Sequence, residues 1–175
     1  MSDAQTMKIA EEIKAAFSAL SFPGIDRAIS SGNHDEHVAM RREFGKLTDW
    51  RLIPYDILDS APDGFACALS FLSPLGFQFY IPAYMIADLA GRLGLVNPTF
   101  FLCVHATELS TPDGIKFESN LNAMFPKEAN DRIGIFNSKQ CCAISNYCSQ
   151  MSSVRNDPCL VECSNYWKLQ SLSRG

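Results

Sequence analysis

Seven cysteines and three histidines are the side chains of this 175-residue sequence best equipped to bind a metal or act as nucleophiles. Cys141, Cys142, Cys148, Cys159 and Cys163 fall close together near the end of the chain, where four thiolates could hold zinc tetrahedrally. Zinc sites of that kind use closely spaced pairs, and no C-x-x-C pair occurs. The spacings of six or seven and of four residues instead place these cysteines on helix faces, where a free thiol packs as a small hydrophobe. No metal site is expected.

The run His34-Asp35-Glu36-His37 could be a metal or acid/base cluster, but it lacks the H-E-x-x-H spacing that puts two ligands on one helix face. Its acids suit the first turn of a helix, so a solvated helix entrance is the favoured reading. Cys103 and His105 lie two residues apart, on different sides of a helix, and nothing marks an oxyanion site beside them. Phe77, Phe79, Tyr80 and Tyr84 could line a ligand pocket, since tyrosine offers an apolar ring with a polar tip. Their alternative is a buried helix pair whose hydroxyls bond to backbone freed by Pro82. No G-x-S-x-G elbow, Walker loop or G-x-G-x-x-G turn is present.

Helices must position these side chains. Ile9, Ile13, Phe17 and Leu20 recur at helical spacing, predicting an amphipathic helix over residues 3–20 that Pro23-Gly24 ends. A second is expected from Asp35 to Leu47, capped by Asn33, with Val38, Phe44 and Leu47 inward. Ser73-Pro74, Asn97-Pro98 and Asp157-Pro158, with Ala61-Pro62 as a weaker case, each place proline at a first helical position, where its missing N–H costs nothing. Residues 100–104 have helical spacing but are rich in strand formers, so a short strand there is the alternative. Residues 110–135 show poor periodicity around the turn Thr111-Pro112-Asp113-Gly114. Ser138 is expected to cap a helix through Ile144, Tyr147, Cys148 and Met151, and Asn156 or Asp157 another through Leu160, Cys163 and Trp167. The expected fold is mainly α: one irregular helical domain, residues 1–175, of seven to nine helices, with at most a short strand or hairpin.

Hydrophobic residues make up 47 % of the chain and charged residues 19 %, a balance that folds rather than stays disordered. The net charge of −4 opposes general attraction to nucleic acid or anionic membrane and favours a basic partner. The apolar stretch from Gly64 to Val96 is long enough to span a bilayer, yet Ser73, Pro74, Gly76, Gln78 and Pro82 interrupt it. Two short buried helices account for it better. The first residues lack a basic n-region, and an odd cysteine count without scaffold spacing suits reduced thiols, so a cytoplasmic location is expected.

The segment Leu69-Ser70-Phe71-Leu72-Ser73-Pro74-Leu75-Gly76-Phe77-Gln78-Phe79-Tyr80-Ile81-Pro82-Ala83-Tyr84-Met85 resembles the signature of a bacterial family of uncharacterised proteins, a domain of unknown function. Its pattern is a serine-proline start, an aromatic-rich turn, then proline-alanine-tyrosine. Trp50 with Leu52, and Phe136-Asn137-Ser138-Lys139-Gln140 leading to Tyr166-Trp167, fall where that family has similar residues. The resemblance touches roughly residues 10–168. It implies structural roles for Trp50, Ser73, Pro74, Phe77, Tyr80, Pro82, Tyr84, Gln140 and Trp167, and transfers no catalytic residue or cofactor.

A small acidic helical domain with no catalytic constellation fits a cytosolic binding protein, most concretely an immunity protein that neutralises a basic, nuclease-type bacterial toxin. Asp35, Glu36, Glu43, Asp49, Asp56 and Asp59 are its candidate partner-binding acids; ordinary solvated faces are their rival reading. The alternatives are an enzyme or small-ligand binder using Tyr80, Tyr84 and His105, and a structural subunit of an assembly.

Overall fold

The computed structural model describes residues 3–32, 35–60, 68–103 and 131–175. Among them the protein is mainly α-helical, as the periodicity predicts, with ten helical elements and no strand. In chain order these are α1 (Asp3–Phe17), α2 (Ile25–Ala28), α3 (Asp35–Phe44), a 3₁₀ turn (Trp50–Leu52), α4 (Tyr55–Leu58), α5 (Ala68–Phe71), α6 (Pro74–Leu89), α7 (Pro98–Cys103), α8 (Ser138–Arg155) and α9 (Pro158–Ser173). Several are single turns, too short to leave a periodic signal in the sequence. Residues 100–103 are helix rather than strand. Asn33, His34, Ala61-Pro62, Phe65, Cys67, His105, Leu109 and the turn at 111–114 lie outside the described residues. None of the helices described is long and apolar enough to cross a membrane.

The chain forms two compact units, residues 17–98 and residues 1–16 with 99–175. In residues 17–98 the core is built on α6, whose Phe77, Tyr80, Ile81, Tyr84, Met85 and Ala87 are wholly buried. Ser73 starts this helix as the sequence predicts: its Oγ accepts from Gly76 N at 3.1 Å and donates to Arg27 O. Pro82 does not divide the helix in two. It lies inside a single run of 16 residues, where its missing donor costs about 3 kcal/mol. Each large side chain buried there returns about 1.5–3 kcal/mol, so the apolar face outweighs the lost bond.

The chain segments at Ala28 and Ser73 run close enough for backbone pairing. Ser73 N donates to Ala28 O at 2.9 Å and Ser30 N to Phe71 O at 2.8 Å, flanking an isolated antiparallel bridge between Ile29 and Leu72. A Cβ at Gly76 would fall inside the Ala28 carbonyl, so glycine sets how closely α2 and α6 approach. α3 turns His37, Met40 and Phe44 inward and leaves Val38 58 % exposed, correcting the face expected of it. One helical step separates His37 from Val38, and Gly32 supplies the gap that the His37 ring fills.

In the other unit α8 and α9 form an antiparallel hairpin: Ser138 pairs with Ser171, Ser145 with Ser164, and Cys148 with Cys163, one index rising as the other falls. Asn156, at φ 51°, closes α8 in the left-handed region, and Asp157 immediately caps α9, accepting from Cys159 N at 2.9 Å. The start of α8 is a capping box on Asn137, not a cap on Ser138. Asn137 Oδ1 accepts from Gln140 N at 3.0 Å and Gln140 Oε1 from Asn137 N at 3.1 Å. α1 joins this unit through buried Ile9 and Ile13, and Asn146 Nδ2 donates to Glu12 Oε2 at 2.8 Å.

Candidate functional site

The six candidate acids all belong to residues 17–98, but the fold uses them differently. Asp59, at the end of α4, is turned onto the chain that follows α6. Its carboxylate accepts from Gly94 N at 2.8 Å, Leu95 N at 2.9 Å and Val96 N at 3.0 Å. Burial works against its charge, yet the Gly94, Val96 and Leu95 amides outweigh that and hold the carboxyl below its ordinary range. Glu43 is lowered by hydrogen bonds from Lys46 Nζ at 2.9 Å and Arg42 Nε at 2.7 Å. Asp49 is lowered by Arg51, whose Nε lies 2.8 Å away, and it also caps the 3₁₀ turn through Arg51 N.

Asp35, Glu36 and Asp56 are exposed and make no ion pair among the described residues. Asp35 and Glu36 open α3, where the helix dipole favours their charge. The cations nearest in sequence are already engaged. Arg41 donates to Gly32 O at 3.0 Å and Ser30 O at 3.4 Å, while Arg42, Lys46 and Arg51 serve Glu43 and Asp49. Residues 17–98 carry nine carboxylates against six lysines and arginines, a net −3 of the chain's −4.

The residues expected to be structural are buried or act as caps. Trp50, Phe77, Tyr80, Tyr84, Gln140 and Trp167 are buried, Ser73 is an N-cap, and Pro74 opens its helix. Trp167 Nε1 donates to Leu102 O at 3.2 Å. Tyr80 OH reaches the carbonyls of Phe44 at 2.9 Å and Leu47 at 3.2 Å, satisfying the end of α3 and not backbone beside Pro82. Tyr84 OH is buried with no hydrogen-bond partner among the described residues. Burial pushes both phenols well above their ordinary pKa, so neither stands ready to exchange a proton near neutrality.

His37 is not part of a solvated entrance. It is buried, 3.4 Å from Ser30 Oγ and edge-on to Phe71 with ring centres 5.0 Å apart. Among the described residues no three His, Cys, Asp or Glu side chains are arranged to hold a metal ion. Cys141, Cys148 and Cys163 are buried, while Cys142 and Cys159 are exposed. Helix-face spacing does not say which of these thiols meet; the hairpin sets the sulfurs of Cys148 and Cys163 3.6 Å apart. The pair itself has a signal in the sequence: folding a hairpin at Asn156-Asp157 sets 148 opposite 163.

A model of a family of unknown function, DUF6714, matches residues 7–171. The chain belongs to that family. No curated protein and no solved structure matches it.

Proposed function

We propose that the protein is a cytoplasmic bacterial immunity protein that binds a basic, nuclease-type toxin domain and neutralises it by protein–protein contact. The observation that carries this reading is that Asp35, Glu36 and Asp56 are exposed and make no ion pair among the described residues, beside cations already committed elsewhere. Free carboxylates in a unit of net −3 set up a field that steers a cationic partner toward it and speeds encounter. The paired Glu43 and Asp49 add less to such a field, because their charges are cancelled locally.

Co-expression with the product of the adjacent reading frame tests the reading. The expected result is a complex that survives purification, protects cells from the neighbour's toxicity and weakens as salt screens the charges. A basic neighbour that purifies separately and remains toxic in the presence of this protein would refute it.

A further inference from the structure

The α8/α9 hairpin buries two thiols against each other. Cys148 of α8 and Cys163 of α9 are both shut away from solvent, and their sulfurs lie 3.6 Å apart. Three residues back along α8 and one residue on along α9, Ser145 and Ser164 donate to each other's carbonyls at 2.8 and 2.9 Å. At this level, then, the two helix backbones are held within reach of one short side chain. A disulfide needs such an approach, because its α-carbons stand at most about 6.8 Å apart and its sulfurs about 2.05 Å. The two thiols have about 1.5 Å left to close, which rotation about their Cα–Cβ bonds covers with the helices in place.

We infer that Cys148 and Cys163 form an oxidative modification site, closed to a disulfide by exchange with a low-molecular-weight disulfide and reopened by a small dithiol. The bond would join residues 15 positions apart and tie α8 to α9 across the turn at Asn156-Asp157. Burial makes the site slow but selective. The reagent reaches either sulfur only when the hairpin opens locally. Once one sulfur is captured, the closing hairpin brings the other against it.

Both exchange steps balance. One cysteine loses its proton and its thiolate attacks a sulfur of the small disulfide; the reagent's S–S bond breaks, and one small thiolate leaves and takes up a proton. The second cysteine then loses its proton and attacks the captured protein sulfur. The Cys148–Cys163 bond forms, the bond to the reagent breaks, and a second small thiol leaves. The pair has given up two electrons and two protons, and the reagent has become two thiols.

The test incubates the whole reduced chain with oxidised glutathione, quenches with acid, alkylates the remaining thiols and maps the products by mass spectrometry after digestion without reductant. The expected product is a Cys148–Cys163 cross-link free of glutathione, at least tenfold more abundant than any other cross-link and reversed by dithiothreitol. It should form more slowly than glutathione adds to the exposed Cys142 and Cys159. In denaturant the tenfold preference is expected to vanish, since loop length alone then chooses the pairing. Cys148→Ala, checked for native helicity by circular dichroism, should abolish the cross-link while Cys142 and Cys159 still react. Full alkylation of Cys148 and Cys163 after Cys142 and Cys159 have been consumed would overturn the inference. So would a stable glutathione adduct on either buried cysteine of the wild type, or a native cross-link pattern that matches the denatured one.

Discussion

In residues 17–98 the closest helix approach is backbone against backbone, with Gly76 of α6 beneath the Ala28 carbonyl of α2. In the other unit α8 and α9 meet through side chains, Ser145 against Ser164 and Cys148 against Cys163. The first arrangement leaves no room for an added methyl group. The second places hydroxyls and thiols inside the hairpin. A closure made by backbone resists change, whereas one made by polar side chains can be dissected pair by pair.

The largest effect should follow from adding one methyl group to the backbone closure. Gly76→Ala is expected to destabilise residues 17–98 by about 3 kcal/mol, since the Ala28 carbonyl cannot yield as a side chain would. Denaturant unfolding would show it, and an unchanged midpoint would mean that α2 and α6 are not so closely seated.

The side-chain closure should respond less, and in a coupled way. Ser145 Oγ donates to Ser164 O at 2.8 Å and Ser164 Oγ to Ser145 O at 2.9 Å, both buried. Ser145→Ala or Ser164→Ala alone should cost about 1–2 kcal/mol, and the double variant less than the two added together, because the two bonds share one tight contact. Strict additivity in that cycle would show that the serines act independently.

Two tyrosines on one helix sharpen the comparison within residues 17–98. Tyr80→Phe removes the hydroxyl that serves the Phe44 and Leu47 carbonyls and should cost about 1 kcal/mol. Tyr84→Phe should be neutral or slightly stabilising, as it deletes a buried hydroxyl without a partner among the described residues. Equal losses would point to a partner for Tyr84.

The smallest effect concerns Asp59 and pH. Its folded pKa lies below the ordinary 3.8, so the unfolded chain takes up the proton more readily and acid favours unfolding. Its contribution is therefore full above the unfolded value and is lost as pH falls through the folded one. Asp59→Asn should be less stable than the wild type at neutral pH, with the difference shrinking below about pH 4. A difference that persists unchanged into acid would assign the effect to packing rather than charge.

Local chemistry made much of this fold legible. Ser73-Pro74 and Asp157-Pro158 cap and open the helices they announced, and the inward residues of α6, α8 and α9 follow the apolar spacing. Pro82 misled because its local penalty is outweighed by burial that only the folded core supplies. Val38 misled because hydropathy ranks valine above histidine, while the buried His37 is accommodated by Gly32 and Ser30, distant from any pattern. Of the candidate acids, composition could not separate Asp59, bonded to amides 35–37 residues away, from the exposed Asp56 three positions earlier.

The proposed role rests on free carboxylates meeting a cationic partner, and one kinetic measurement addresses it directly: association of the protein with the neighbouring gene product, for the wild type and for Asp35→Asn/Glu36→Gln/Asp56→Asn. The account predicts that the triple variant stays folded, with a modest loss of stability at the start of α3, while its association rate falls at least tenfold at low salt, with little dependence on added salt, because steering charges act on the encounter. A triple variant that associates as fast as the wild type across ionic strengths would contradict it.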